Sequence, residues 1–289
     1  MTALLGAVRE RLADRAGEAA DPRVVVGERL LAVELVDPDH GPLVGLAHRP
    51  PGTAAFELEF EFEGQTVADL VAGATAAESP PRRAAGVAAL NALSVPDVDW
   101  RRGDPMAGLP ADVERVATVG LFRPAFATFD DVTVRVVERD PPDPTTVETP
   151  SGVAVETYAP DECDRAFAGA DVCFLTGSTL VYGGTERYLL ALAEAGVSPV
   201  VLVGATASHR PEPAFAAGVD VVAGARVTDR ERALAGVSGG GCGTDLHGHG
   251  VEKVYVTASG REPRGLAVGG GETDRAETDG AYRGAERQP

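Results

Sequence analysis

The sequence predicts an α/β protein: a doubly wound, mainly parallel sheet over residues 111–258, preceded by a smaller α+β unit over residues 1–110. Three observations carry this expectation. In the second part, Val-rich apolar runs alternate with helix-like stretches, as strands joined by crossovers do. In the first part, strand-like runs come early and helix-like runs late, the order of an α+β unit. Finally, Phe174-Leu-Thr-Gly-Ser-Thr-Leu-Val-Tyr-Gly-Gly184 and Val200-Val-Leu-Val-Gly-Ala-Thr-Ala-Ser208 are apolar runs that stop abruptly at Gly and small hydroxyl residues. In an open parallel sheet such stops lie at the carboxyl ends of adjacent strands, where ligands bind.

The elements follow in order. Residues 4–20 have the pattern of an amphipathic helix. Strands are expected over 24–36 and 43–48, separated by the turn residues Asp37-Pro-Asp-His-Gly-Pro42. Residues 56–63 alternate apolar and acidic side chains, the pattern of a third strand with one wet face. Helices are expected over 66–76 and over the Ala-rich 82–93. Residues 95–110, rich in Pro, Asp and Gly, read as a linker. Beyond them, strands are expected over 115–121, 132–138, 172–176, 200–203, 219–223 and 254–257, with helices over 184–195, 211–216 and 229–235. The two abrupt stops then end the third and fourth strands of a Rossmann-like domain. Residues 259–289 are Gly-rich and charged without apolar periodicity and read as a disordered tail.

Composition narrows the function classes. The net charge is −18, and of the 26 basic side chains Lys253 is the only lysine. Such acidity suits a cytosol at very high salt, where the Debye length falls to about 3 Å and self-repulsion is screened. A nucleic-acid binder needs a basic stripe, and none is present. No apolar run reaches membrane-spanning length, and the N-terminus lacks the pattern of a signal peptide. Three cysteines, Cys163, Cys173 and Cys242, without paired spacing fit reduced thiols in a cytoplasm.

Several residues are candidates for chemistry. Gly120 ends the first strand of the second part, and Glu138 ends the next. An acidic residue about 20 positions after such a glycine holds a ribose hydroxyl in dinucleotide-binding folds. The glycine fingerprint itself is missing, because Leu121 and Phe122 follow Gly120. The segment from Gly177 to Thr185 approaches a phosphate loop, but five residues separate Gly177 from Gly183, and Gly184 stands where the lysine belongs. Thr176, Ser178 and Thr179 then either bind a polar ligand or cap the turn that follows. Cys242, His247 and His249 have ligand types that suit a divalent transition metal, in a spacing that matches no established pattern. His209 follows the second stop and is a candidate for the cleft; His48 and Arg49 are candidates from the first part. Asn91 sits on an apolar helix face and needs a hydrogen-bond partner, either a neighbouring element or a cleft.

Taken in order, Val44-Gly-Leu-Ala-His-Arg-Pro50, Gly86-Val-Ala-Ala-Leu-Asn-Ala92, Val119-Gly-Leu-Phe-Arg-Pro124, Val137-Glu-Arg139, Phe174-Leu-Thr-Gly-Ser-Thr-Leu-Val181, Val203-Gly204 and Phe215-Ala-Ala-Gly-Val-Asp220 resemble the "Putative heavy-metal chelation" domain family over about residues 20–258. The resemblance implies an enolase N-terminal-like domain before a Rossmann-like domain, with a site between them. It implies metal chelation, or condensation or hydrolysis in making pterin-, flavin- or siderophore-like chelators. Position by position it points to Asn91, Gly120, Glu138, Thr176, Gly177, Ser178, Gly204 and Thr206. Two departures stand out: Gly184-Thr185 replaces a Lys-Thr pair, and Gly204-Ala-Thr-Ala-Ser208 replaces a Gly-Pro-x-Thr-Pro turn. The expected protein binds a small-molecule ligand or a metal chelate between its domains, with the backbone near Gly177 and Gly204 meeting the ligand's anionic part. The alternatives are a transferase or hydrolase acting on such a precursor, and direct metal binding by Cys242, His247 and His249. A homodimer is compatible with the sequence; neither nucleic acid nor membrane is an expected partner.

Overall fold

Valine-rich strands that must be buried on both faces need helices on both sides, and the chain satisfies this with an extended sheet. The computed structural model describes residues 3–52, 54–76, 78–258, 260 and 266. Among these, the strands form a three-stranded and an eight-stranded sheet. The tail expected over 259–289 otherwise lies outside the described residues.

The small sheet is an antiparallel meander of β1 (Ala20–Val26), β2 (Leu30–Asp37) and β3 (Gly41–His48). Residues 24–36, expected as one strand, turn back at Gly27, whose N–H donates to Leu30 O at 2.9 Å. The expected helix over 4–20 is two helices, Ala3–Arg11 and Ala13–Glu18.

Residues 56–63 correct the sequence reading most sharply: they form an α-helix, Ala55–Phe62. A strand would turn Phe56, Leu58, Phe60 and Phe62 to one face. The helix instead buries Leu58 and Phe62, four residues apart, and leaves Phe56 and Phe60 71% and 77% exposed. Glu57 supports it by accepting the Ala54 N–H at 3.3 Å. Both Glu and Leu favour helix over strand.

The Ala-rich helix Pro80–Ser94 packs on β3, between the small sheet and the second part of the chain. Its alanines allow a close approach at Gly45, where a Cβ would lie 2.1 Å from Ala88 O. The linker segment contributes a short strand, β4 (Arg101–Arg102), to the large sheet.

The large sheet continues with β5 (Arg115–Val119), β6 (Thr133–Val137), β7 (Ala154–Tyr158), β8 (Val172–Thr176), β9 (Val200–Val203), β10 (Val221–Val227) and β11 (Val251–Thr257). Its order is β4-β11-β10-β9-β8-β5-β6-β7, with β10 through β7 parallel and β11 and β4 antiparallel. Counted from β5, the parallel strands run third, second, first, fourth, fifth, sixth, the doubly wound order. Sequence reading missed β7, so the two abrupt stops end the fourth and fifth strands rather than the third and fourth. The order reverses between β5 and β8, and ligands bind at the carboxyl ends beside such a reversal. One continuous core runs from Leu4 and Leu5 through the Ala-rich helix to Leu175 and Val222.

Candidate functional site

The carboxyl ends of the parallel strands, capped by β3, enclose a cavity of about 540 Å³. At the reversal, Gly120 takes φ +106° and lies against Thr176, whose Cγ2 would be 3.1 Å from a Cβ there. Glu138 leaves β6 with its Oε1 accepting the Leu121 N–H at 2.8 Å, which fixes the carboxylate across the first turn. Thr176 Oγ1 lies 3.2 Å from Ser178 Oγ and accepts the Ser178 N–H at 3.3 Å. These hydroxyls therefore both cap the turn and line the cavity.

From the small sheet comes His48 at the end of β3. Its N–H donates to Thr206 Oγ1 at 2.9 Å, and its Nε2 is hydrogen-bonded to Tyr182 Oη at 2.9 Å. The Arg139 guanidinium stacks over the Tyr182 ring at 3.8 Å. Burial and the nearby Arg139 charge lower the His48 pKa below its ordinary value, so the imidazole is neutral at pH 7. A neutral imidazole bonded to a phenol beside a guanidinium is equipped to hold or pass a proton.

At the other side of the cavity, Lys253 on β11 pairs with Asp104 at 2.5 Å, and His247 lies beside them on the same lining. Burial and the Lys253 charge lower the His247 pKa.

Of the residues expected from sequence, Gly120, Glu138, Thr176, Ser178, Gly204 and Thr206 line this cavity, as do Thr179, His48 and His247. Others sit elsewhere. Asn91 is fully buried, and its Nδ2 donates to Leu46 O at 2.7 Å and to Ala205 O and Thr206 O at 3.2 Å. It stitches the small sheet to the turn after β9 and does not reach the cavity. Gly177 is pressed against Ala207, whose N would be 2.9 Å from a Cβ. The N–H groups of Gly177 and Gly204 themselves donate to Val203 O and Ala223 O, at 2.7 and 2.9 Å, so strand pairing uses these two donors. His209 is buried with Nδ1 2.8 Å from Arg210 O, away from the cavity. Arg49 Nη1 donates to Gly27 O at 2.7 Å within its own sheet.

The expected metal triad does not assemble. Cys242 Sγ faces Arg29 Nη1 at 3.8 Å and Asp245 Oδ2 at 3.9 Å. His247 lines the cavity, whereas His249 packs beneath Gly236. Among the described residues, no group of three or more His, Cys, Asp or Glu side chains could hold a metal ion.

Sequence reading passed over Tyr182, Arg139, Lys253 and Asp104. Signals existed for three of them: Tyr182 closes the first abrupt stop, Arg139 follows Glu138, and Lys253 is the only lysine.

A family model described as "Putative heavy-metal chelation" matches residues 110–256, and a second with the same description matches residues 9–94. No curated protein matches the chain. Among solved structures, the fold is similar to that of a protein with unknown function from Pyrococcus horikoshii, at 20% identity and TM-score 0.70, covering 88% of this chain and 100% of that one. It is also similar to a protein with unknown function from Desulfitobacterium hafniense DCB-2, at 17% identity and TM-score 0.64, covering 87% and 99% of the two chains. Both belong to the family of the first model, and at these identities the likeness shows the fold alone.

Proposed function

The chain belongs to the "Putative heavy-metal chelation" family, and from that premise we propose that it binds a small polar organic ligand or a metal chelate in the cavity between its two sheets. The observation that carries the reading is the cavity itself: about 540 Å³, a size for a drug-like ligand, at the reversal of strand order and lined from both sheets. Glu138, Thr176 and Ser178 offer acceptors and hydroxyl donors to a ligand edge. Thr206 acts mainly by holding His48. In this reading a metal arrives as part of the ligand; among the described residues, no group of three or more His, Cys, Asp or Glu side chains could hold one.

A thermal-shift panel of pterins, nucleosides and metal chelates at high salt tests this. A ligand at about 100 times its Kd adds about 2.7 kcal/mol, which raises the melting temperature by roughly 5 °C or more for a chain of this size. The variant Glu138→Ala with Ser178→Ala should lose most of that shift. Equal shifts in wild type and variant, or none in the wild type, reject the proposal.

The His48–Tyr182 pair favours a second reading, in which the bound precursor is also turned over by a transferase or hydrolase step. This pair is the means by which such a protein would move a proton.

A further inference from the structure

We propose that Lys253 anchors an acidic terminal group of the ligand, a carboxylate or phosphate, so that the cavity takes an elongated molecule whose other end lies against His48, Tyr182 and Arg139. The inference rests on the cavity reading above and names the class of ligand that reading leaves open.

The first observation is chemical. The chain carries 26 basic side chains and Lys253 is its only lysine. Arginine is the wider, planar cation; lysine is a compact point charge with three donors. An ammonium takes up less of a cavity than a guanidinium, and the one ammonium side chain of this chain lies on the cavity wall.

Position is the second. Lys253 is held, yet it is not consumed. Its Nζ gives one bond to Asp104 Oδ2, while Asp104 Oδ1 accepts the Met106 N–H at 2.9 Å. The Gly103 N–H in turn donates to Lys253 O at 3.1 Å. This braces the ammonium from behind and leaves two of its donors, with the side chain 41% exposed. His247 lies on the same wall and can give a further N–H.

Distance sets the ligand's shape. Tyr182, with Arg139 stacked on it, ends the short helix Ser178–Tyr182 that follows β8, and Lys253 is on β11, three strands from β8. At about 4.8 Å per strand, β8 and β11 are roughly 14 Å apart, a span that suits an elongated ligand better than one compact anion. In a chain of net charge −18, a local cation at each end is also what would admit an anionic ligand.

The test uses matched probes that differ only in an acidic end: adenosine with adenosine 5′-monophosphate, and pterin with its 6-carboxylate. Thermal shifts on wild type and Lys253→Met should show roughly 10- to 100-fold weaker binding of the acidic member in the variant, with the neutral parent unchanged. The phosphate and carboxylate arms separate the two acid types. A second readout needs no variant: reductive methylation with ¹³C keeps the charge, and the single lysine gives one side-chain resonance. That resonance should move with the acidic probe and stay still with the neutral one. If acidic probes stabilise both proteins equally and the resonance does not move, the lysine proposal is wrong and the cavity reading stands. If no probe of either kind stabilises the wild type, the cavity reading falls and this proposal with it.

Discussion

At the scale of single residues, the five histidines separate by what surrounds them. His48 is half-buried and His247 exposed on the cavity wall, and His209 is wholly buried beside the Arg210 carbonyl. Burial lowers the His209 pKa below 6.5, its ordinary value, against the weaker opposing pull of that carbonyl and of Glu212. Above about pH 6.5 the folded and unfolded states both carry a neutral imidazole, and the residue has no pH-linked effect. Below it the unfolded chain takes up a proton that the folded chain refuses, so stability falls as the pH drops. The loss approaches about 1.4 kcal/mol per pH unit for one such residue. Denaturant melts at pH 7.5 and 5.5 should therefore show a larger drop in wild type than in His209→Gln. Equal drops would mean that His209 titrates normally. Asn91 teaches a related lesson: its polarity marked it correctly as a residue needing partners, but those partners are three backbone carbonyls.

At the scale of elements, the helix Ala55–Phe62 and the strand β7 are two that the sequence concealed. Alternation over so few residues is shared by a wet-faced strand and by a short helix that buries positions four apart. The helix reading makes a distinct prediction. Leu58→Ala should cost about 2–5 kcal/mol, because it opens a cavity in the core. Phe60→Ser should stay within about 0.5 kcal/mol, because Phe60 faces solvent. Comparable losses in the two variants, read from denaturant midpoints, would instead favour the strand. β7 was missed because it is the edge of the sheet: its residues are half-buried or exposed, so Ala154–Tyr158 contains no apolar run to read. The internal strands β5, β8 and β9 were legible because burial on both faces demands continuous apolar sequence.

At the scale of the molecule, the net charge of −18 acts on the whole fold. We propose that it is an adaptation to high salt. Self-repulsion then limits stability in dilute buffer, and added salt relieves it. Melting temperature should rise steadily between 0.1 and roughly 2 M KCl; a flat or falling curve would rule the adaptation out. The same charge makes the cations around the cavity informative, since they stand against the field of the rest of the chain. The shared core, together with contacts such as Arg83 Nη1 to Val181 O at 2.9 Å, joins the small sheet and its helices to the large sheet.

The sequence by itself determined the class of fold, most strands of the large sheet, the Gly and hydroxyl stops that border the cavity, and the acidic character. These are local properties: period, burial on two faces, turn chemistry and charge are written in neighbouring residues. Only the tertiary structure decided which polar groups meet. His48 and Tyr182 lie 134 positions apart, and Lys253 and Asp104 149 apart. Their meeting depends on strand order and on how two sheets share one core, and no short stretch of chain encodes that. For the same reason Cys242, His247 and His249, close in sequence, face different neighbours, while the cavity drew its lining from both sheets.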